Sequence, residues 1–174
     1  MLEKIVPDKY FKSIYNIKYK LLKEAGIKCL IFNINNTLVA DSIKKPTNKV
    51  KDLFEDLKNM GFRILLVSNE SKRKVTPFKE LLCVDSAYLS MKPLKFKYKK
   101  ILKLYNLESH EVACIGSSII FDILGANRMD FTSIYVNPIS EDTNALSKLS
   151  RKFENHFIKK LTKKGLFRKG RYYE

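Results

Sequence analysis

The stretch "CLIFNINNTLVAD", residues 29–41, decides the fold and raises the question of function. Its first four residues are continuously apolar, which is typical of a strand buried on both faces of a sheet. A polar turn follows at once, with Asn33, Asn35, Asn36 and Thr37, before apolar residues resume. Taken alone, such a turn most often joins a strand to a helix through Asn side chains that bond the backbone. Whether this turn carries chemistry, or only the shape of a turn that does, depends on the rest of the chain.

The length and composition of the chain indicate one globular domain with extensions. Its 174 residues are 45% apolar and 11% aromatic, which is enough to bury one core and unlike a disordered chain. Basic residues outnumber acidic ones 34 to 18, and the resulting formal charge of +16 must lie at the surface. Polyanions are therefore the natural partners: nucleic acid, an anionic membrane face or a phosphorylated substrate. The alternative is a basic surface with no dedicated partner.

Cysteine usage and hydropathy predict a cytoplasmic protein. Cys29, Cys83 and Cys114 show no CxxC spacing and are expected to be small core hydrophobes in a reducing compartment. No apolar run approaches the roughly 20 residues that span a bilayer, and "MLEKIVPDKYFK" lacks the apolar core of a signal peptide. We expect the chain in the cytoplasm, either free or peripheral on the inner face of the membrane.

Apolar runs recur along the chain with helical segments between them. This alternation predicts an α/β fold, a doubly wound parallel sheet, over residues 25–140. A helical arm at residues 1–24 and a basic amphipathic extension at residues 141–174 are expected to flank that core. After residues 29–32, the predicted strands lie at residues 63–68, 86–90, 112–116 and 132–136.

The segments that directly follow these strands are the candidates for a site, because ligands of such sheets bind beyond the carboxyl ends of the strands. These segments are polar, and we expect them to meet in space. Their candidate site residues are Asn33, Asn35, Thr37, Ser68, Asn69, Lys92, Ser117 and Asp122.

The C-terminal extension combines an apolar stripe with many basic residues. The stripe either packs on the core or inserts into a membrane, and the sequence leaves both open. In both cases the lysines face outward and are predicted to bind an anionic surface, such as a bilayer that contains phosphatidylglycerol. The stripe is Leu146, Leu149, Phe153, Phe157 and Leu161, and the surface-binding lysines are Lys159, Lys160, Lys163 and Lys164.

The polar segments resemble, in order and spacing, the four motifs of the haloacid dehalogenase (HAD) superfamily of phosphatases. The closer likeness is to the YqeG family of subclass IIIA, and it extends over nearly the whole chain. It rests on "VPDKYFKSIYNI", "GIKCLIFNINNTLV", "GFRILLVSNE", "MKPLKFKYKKILK", "EVACIGSSIIFDILGANRMDFTSIYVNPI" and the basic tail. The resemblance implies the Rossmann-like HAD fold.

The spacing of the motifs also bears on the size of the partner. Between Thr37 and Ser68, and between Asn69 and Lys92, the sequence has room for one helix each. We therefore expect no cap domain of the kind that encloses small substrates in other subclasses. The site should be open and suited to a large or surface-bound partner.

The resemblance implies a reaction through an aspartyl-phosphate. In the family's DxDxT turn, the first carboxylate attacks phosphorus and the second acts as general acid and base. Polar and lysine side chains hold the phosphoryl oxygens, and an acidic motif binds Mg²⁺ together with the first carboxylate. Carried over to this chain, the phosphate-holding positions are Thr37, Ser68, Asn69 and Lys92, and the metal-motif positions are Ser117 and Asp122.

Three positions depart from the family pattern. Asn33 stands at the nucleophile position, Asn35 at the acid/base position, and Ser117 where an Asp would bind the metal. A carboxamide is a poor nucleophile, does not exchange a proton near neutral pH, and offers no net charge to a hard cation. With only Lys92 opposite Asp122, the remaining site is close to neutral and is expected to accept an anion without a metal. The turn is predicted to keep the shape of an active site without its chemistry.

The function predicted from the sequence is that of a catalytically silent phosphatase-like protein. It binds phosphate or a phosphorylated ligand, or acts as a scaffold at an anionic surface, and no cofactor is expected. The first alternative is an active Mg²⁺-dependent phosphatase, for which the resemblance suggests phosphatidylglycerophosphate as the substrate. The second alternative is an RNA-binding or ribosome-associated module, supported by charge alone because no recognised RNA-reading motif is present.

Overall fold

Six parallel strands form one sheet: five follow the predicted alternation of apolar runs, and the sixth comes from the arm predicted as helical. The computed structural model describes residues 2–140 and 145–174, apart from the side chains of residues 145–147. The strands are β1 (Lys9–Phe11), β2 (Cys29–Phe32), β3 (Arg63–Val67), β4 (Asp85–Ala87), β5 (Val112–Gly116) and β6 (Thr132–Val136). Their order across the sheet is β1-β6-β5-β2-β3-β4, and every pairing is parallel.

Strand β2 lies in the middle of the sheet, between β5 and β3. Phe32 at its end stands in register with Ile115 of β5 and Leu66 of β3. The backbone N–H of Asn33 continues the ladder by donating to Ile115 O at 3.0 Å. This register brings the ends of three strands level, so the polar residues that follow them open onto the same edge of the sheet.

Helices connect the strands and cover both faces of the sheet. They are α1 (Tyr19–Glu24), α2 (Asn48–Asn59), α3 (Lys72–Leu82), α4 (Phe96–Tyr105), α5 (Leu124–Asn127) and α6 (Ala145–Lys163). One helix, α2, lies between β2 and β3, and one, α3, lies between β3 and β4, so these fully described connections hold no cap domain. The Thr47 hydroxyl caps α2 by accepting from Val50 N, and Val50, Phe54 and Leu57 form its buried face.

Each face of the sheet has its own apolar cluster, because strand side chains alternate between the two faces. Phe32 points to the face covered by α1, α2 and α3, and its ring centroid lies 5.1 Å from that of Phe54. Ile31 points to the opposite face, where Tyr98 and Ile101 of α4 pack. Burial of a large apolar side chain contributes about 1.5–3 kcal/mol, so both layers of helices hold the sheet in place.

A third apolar cluster joins the two ends of the chain beside β1 and β6. Tyr10 is fully buried there, with its ring centroid 5.2 Å from that of Tyr135 and 5.1 Å from that of Phe167. The backbones of Tyr10 and Tyr173 exchange two hydrogen bonds, of 2.7 and 3.0 Å. The C-terminus therefore covers the edge of β1, which would otherwise present unpaired backbone groups. The buried residues of this cluster are Ile5, Tyr10, Ile119, Ile123, Tyr135, Ile158, Leu161 and Phe167.

The apolar stripe predicted for the C-terminal extension is only partly correct. Leu161 is fully buried and Phe157 packs against the third cluster, whereas Leu149 and Phe153 are 52% and 58% exposed. Leu146 lies outside the described side chains. The buried face of α6 carries Glu154, Ile158 and Leu161, and Glu154 makes a polar contact with the loop after β5 that a count of apolar residues does not detect.

The arm predicted as helical at residues 1–24 is only partly helical. It contains β1, which pairs with β6 so that Lys9 lies opposite Ile134. The Asp8 carboxylate fixes this pairing by accepting from Ser133 N at 2.8 Å and from the Ser133 hydroxyl at 2.9 Å. A strand of three residues is too short to show a period of two, and its partner strand lies at the far end of the core sequence. No local sequence pattern therefore predicts β1.

Two of the three cysteines lie in the core. Cys29 and Cys114 are buried as predicted, but Cys83, the C-terminal capping residue of α3, is exposed. No helix in the described part of the chain is long and apolar enough to cross a bilayer.

Candidate functional site

The turn after β2 is held by its own polar side chains. Asn33 Nδ2 donates to Asn35 O at 2.9 Å and to Thr37 Oγ1 at 3.3 Å. Asn33 Oδ1 accepts from the Lys92 ammonium at 2.9 Å. Asn36 has φ 55°, a left-handed conformation that Asn adopts more readily than most residues. The amide of Asn33 therefore acts as donor and acceptor at once, with its oxygen on the cation of the site.

A carboxylate lies beside Asn35. Asn35 Nδ2 donates to Glu70 Oε1 at 2.7 Å, and Glu70 Oε2 lies 2.9 Å from the Lys74 ammonium on α3. The buried Ser68 hydroxyl accepts from Glu70 N at 3.1 Å and so shapes the turn that carries Glu70. The acid/base position thus holds an amide that is bonded to a carboxylate from the end of the next strand.

Lys92 is the central cation of the site and is almost fully buried. Asn69 holds its backbone from two directions: Asn69 Oδ1 accepts from Lys92 N at 2.7 Å, and Asn69 Nδ2 donates to Lys92 O at 3.3 Å. The Lys92 ammonium lies 2.6 Å from Asp122 Oδ1, with 4% of the Lys92 side chain and 1% of the Asp122 side chain exposed. The two opposite charges therefore neutralise each other inside the protein.

Asp122 reaches Lys92 from a π-helical turn, Ile119–Ile123, that follows β5. Its second oxygen, Oδ2, accepts from Ser118 N at 3.1 Å. Gly116 ends β5 directly against this carboxyl group, and a Cβ at that position would overlap the Asp122 side chain. A residue without a side chain is required where the strand passes this close to the carboxylate.

Thr37 lies beneath the site and does not line it. Its hydroxyl lies 3.1 Å from the Ser117 hydroxyl and 3.4 Å from Asn35 O. Thr37 and Ser117 are each 2% exposed. This contact joins the turn after β2 to the loop after β5 through two neutral hydroxyls, one of them at the predicted metal-motif position Ser117.

The remaining predicted site residues meet around one open cavity of about 360 Å³. Those at the cavity are Asn33, Asn35, Ser68, Asn69, Lys92, Ser117 and Asp122. The structure does not bring the tail lysines to it: Lys159, Lys160, Lys163 and Lys164 are exposed and lie elsewhere on the surface. Phosphate-site and surface-binding residues therefore form two separate groups.

Three charged residues at the cavity were not predicted from the sequence: Asp41, Glu70 and Arg151. Glu70 directly follows Asn69, so extending that motif by one residue would have included it. Asp41 is the last residue of the stretch 29–41, so including the end of that stretch would have added it to the candidates. Arg151 comes from α6, and only the packing of that helix places it here.

An ion pair binds α6 to the loop after β5. Arg151 Nη1 donates to Glu154 Oε2 at 2.5 Å and to Ser117 O at 3.1 Å. Glu154 is 2% exposed and also accepts from the Ser118 hydroxyl and from Ile120 N. Burial raises the pKa of the Glu154 carboxyl, while Arg151 and the hydrogen bonds act in the opposite direction. The C-terminal helix therefore forms part of the wall of the site.

The cavity is close to electrically neutral. Two cations, Lys92 and Arg151, face three carboxylates, Asp41, Glu70 and Asp122, which leaves a formal charge of −1. Two charged residues outside the lining pair with it and cancel each other: a lysine on α3 pairs with Glu70, and Glu154 pairs with Arg151. The net formal charge of the site therefore stays at −1, which is small beside that of several clustered metal-binding carboxylates. The site charge predicted from the sequence takes in only Lys92 and Asp122, and it omits Asp41, Glu70 and Arg151.

The residues at the predicted metal-motif positions do not fit Mg²⁺, which proteins usually hold through one or two available carboxylates together with water and substrate phosphate. Ser117 offers a hydroxyl that contacts Thr37, and Asn33 offers an amide oxygen that accepts from Lys92. Both oxygens of Asp122 accept from N–H donors of the protein. In the described residues, no three His, Cys, Asp or Glu side chains converge as a metal site would require.

The parallel sheet and the polar cavity at the ends of β2, β3 and β5 define the class of the protein. A family profile for haloacid dehalogenase-like hydrolases matches residues 5–130. A relative indicates the family within this class. Over 166 residues the chain is 30% identical to "Probable phosphatase YqeG" of Bacillus subtilis (strain 168), and the match covers 95% of this chain and 96% of that protein. The chain thus belongs to the YqeG family of haloacid dehalogenase-like hydrolases.

Solved structures of phosphatases share the fold at low sequence identity. The cobalt-bound deoxy-D-mannose-octulosonate 8-phosphate phosphatase of Haemophilus influenzae has a TM-score of 0.52 at 12% identity, covering 83% of this chain and 95% of that one. The D,D-heptose 1,7-bisphosphate phosphatase of B. bronchiseptica, complexed with magnesium and phosphate, has a TM-score of 0.51 at 13% identity, covering 75% and 99%. At these identities the likeness shows the fold alone.

Proposed function

We propose that this chain binds a phosphate group in the HAD site and does not hydrolyse phosphoesters. The observation that supports this proposal is the state of Asn33 at the nucleophile position. Its Oδ1 accepts from Lys92 at 2.9 Å, and its Nδ2 is bonded inside the turn at 2.9 Å from Asn35 O. A neutral amide held in this way does not attack phosphorus and forms no acyl-phosphate for water to cleave.

The groups that hold a phosphate remain in place. An ammonium has three N–H donors, and Lys92 directs two of them to Asn33 and Asp122 at the wall of the cavity. A phosphoryl oxygen in the cavity would accept the third in a charge-assisted hydrogen bond. Because the lining carries no large negative charge, this anion needs no metal ion beside it.

Hydrolysis assays test the silent site directly. Because loss of a covalent nucleophile usually costs several orders of magnitude in rate, we expect no Mg²⁺-dependent hydrolysis of a generic phosphomonoester above a buffer blank. Asn33→Ala is the matched control, since it removes the amide but no charge. Metal-dependent turnover that disappears in Asn33→Ala would overturn the proposal.

An active Mg²⁺-dependent phosphatase is the second candidate, and the retained Lys92–Asp122 pair favours it. Its substrate would be phosphatidylglycerophosphate. We expect the combined substitutions Asn33→Asp, Asn35→Asp and Ser117→Asp to restore some hydrolysis, and each single one to restore none, since nucleophile, proton shuttle and metal act as a unit. Cleavage of phosphatidylglycerophosphate by the unmodified chain would select this candidate over the silent site.

We further propose that the chain docks on an anionic bilayer, as a peripheral protein on the inner face of the membrane. The four tail lysines are exposed on and just after α6, and each contributes about 1 kcal/mol when it reaches an anionic surface. Exposed apolar side chains also cluster in the segment 88–96, which carries Lys92 to the cavity. They are Leu89 at 56%, Met91 at 60%, Leu94 at 45% and Phe96 at 68% exposure.

Vesicle co-sedimentation tests this docking. Truncation of the tail is unsuitable, because Leu161 and Phe167 are buried in the third cluster. We therefore compare the chain with a variant in which Lys159, Lys160, Lys163 and Lys164 are changed to Glu, and with Phe96→Ser. We expect binding to vesicles with phosphatidylglycerol, little binding to neutral ones, loss in the lysine variant, and easier release by salt in Phe96→Ser. If the chain instead prefers RNA to vesicles at equal salt, the membrane proposal is wrong and the RNA-binding or ribosome-associated alternative is favoured.

A further inference from the structure

We infer that Arg151 takes the place of the magnesium ion, so that a bound phosphate group is held between two fixed cations of the protein, Lys92 and Arg151. The inference rests on the proposed phosphate binding and adds the C-terminal helix to the site. It concerns a side chain that lies far along the sequence from the four motifs and matches none of them.

The position of Arg151 supports this role. Its guanidinium donates to the carbonyl oxygen of Ser117 at 3.1 Å, and Ser117 is the residue that stands where the family has a metal-binding carboxylate. Arg151 and Lys92 line the same cavity. The Arg151 side chain is 21% exposed, so it lies at the wall of the cavity and not free in solvent. A protein cation therefore sits beside the position from which the metal ligand has been lost.

The chemistry of the two groups matches the task. A metal ion in a phosphatase site neutralises the phosphoryl oxygens and fixes their orientation. A guanidinium supplies a permanent positive charge and a planar fork of N–H donors that suits phosphate geometry. Its charge belongs to the side chain itself and needs no ligands at Asn33 and Ser117, which agrees with the neutral side chains there. It supplies no activated nucleophile, which agrees with binding and not with hydrolysis.

The surroundings of Arg151 hold it in position. Glu154 accepts from Arg151 and, on its other oxygen, from the Ser118 hydroxyl and Ile120 N. Helix α6 is thereby attached to the loop after β5 at both Ser117 and Ser118. A side chain fixed through a buried carboxylate loses little further freedom when an anion binds, which favours binding.

Calorimetry with inorganic phosphate, in EDTA and in excess Mg²⁺, tests the inference. The variants are Arg151→Gln, Arg151→Lys, and the double variant Arg151→Gln/Glu154→Gln, which avoids leaving the buried Glu154 charge unpaired. Lys152→Gln removes a neighbouring exposed cation and is the matched control. Thermal unfolding of each variant verifies that it is folded.

We expect the unmodified chain to bind phosphate equally well in EDTA and in Mg²⁺. Because hydrogen bonds to charged groups contribute about 1.5–3 kcal/mol, both Gln variants should bind about 10- to 100-fold more weakly. Lys152→Gln should bind as the unmodified chain does, and Arg151→Lys should lie between the two. In a further variant, Arg151→Ala, added guanidinium ion should partly restore phosphate binding without a change in thermal stability, a rescue that a merely structural role would not produce.

Three results would overturn the inference, and they separate it from the proposed function. Equal affinity of the unmodified chain and the folded Gln variants leaves phosphate binding standing without Arg151. A strict Mg²⁺ requirement in the unmodified chain means that a metal, not Arg151, supplies the second positive charge. Absence of phosphate binding in both EDTA and Mg²⁺ removes the proposed function and the inference together.

Discussion

The ammonium of Lys92 lies 2.6 Å from Asp122 Oδ1, and both side chains are almost completely buried. This pair joins the loop before α4 to the π-helical turn after β5, on the two sides of the cavity. It belongs to the stability of the fold as much as to the site, because each charge inside the protein depends on the other.

Lys92→Met should destabilise the protein strongly. The substitution leaves the Asp122 carboxylate buried without its partner, for which a cost of about 3–5 kcal/mol is expected. Urea unfolding measures this cost, and Lys99→Met at an exposed position of α4 is the control, with a change within about 0.5 kcal/mol. Similar midpoints for the two variants would show that the stability of the fold does not depend on the pairing of Asp122 with Lys92.

Gly116→Ala should damage both stability and the site. The new Cβ overlaps the Asp122 carboxyl group, so that side chain must move away from Lys92, at a cost of about 1–3 kcal/mol. Gly165→Ala is the control: its φ of 69° makes a side chain unfavourable by about 1 kcal/mol, but nothing lies within 4 Å of the added Cβ. Calorimetry should show weaker phosphate binding in Gly116→Ala alone. Unchanged binding there would mean that Asp122 does not position Lys92.

Tyr135→Phe should leave stability unchanged or raise it by about 1 kcal/mol. The Tyr135 hydroxyl is buried with no hydrogen-bond partner among the described residues, so its removal ends a desolvation cost. Tyr10→Phe is the contrasting variant in the same cluster, because the Tyr10 hydroxyl donates to Asn137 Oδ1 at 2.5 Å and accepts from Gly170 N at 3.1 Å. That variant should lose about 1–3 kcal/mol in urea unfolding. A comparable loss of stability in both variants would show that the Tyr135 hydroxyl has a hydrogen-bond partner.

Glu154 should make the protein less stable as pH rises. Burial raises the pKa of its carboxyl in the folded state above the ordinary value of 4.5. Between these two pKa values the folded state binds more protons than the unfolded state, so the free energy of unfolding falls with rising pH. Urea unfolding across this window should show a shallower fall in Glu154→Gln. Glu55→Gln, at an exposed position of α2, is the control for removing one carboxyl group. An identical pH slope in Glu154→Gln and the unmodified chain would contradict the expectation.

Much of the fold follows from local sequence patterns. The runs at residues 29–32, 112–116 and 132–136 form strands with those bounds, because continuous apolar residues are stable only where both faces of a strand are covered. The side chains Asn33, Lys92 and Asp122 meet at one cavity because parallel strands end at the same edge of the sheet. Residue chemistry alone also predicts that Asn33 and Asn35 cannot act as carboxylates do.

Tertiary packing decided the features that involve the ends of the chain. Strand β1 is defined by its pairing with β6, and Arg151 lies at the cavity on a helix whose Glu154 bonds to Ser118. Leu149 and Phe153 are exposed because the face of α6 that packs on the core is the one with Glu154, Ile158 and Leu161. A period of apolar residues reports which face of a helix is hydrophobic. It does not report that Glu154 bonds to Ser118 and Arg151 to Ser117, because these partners lie 36 and 34 residues apart in sequence.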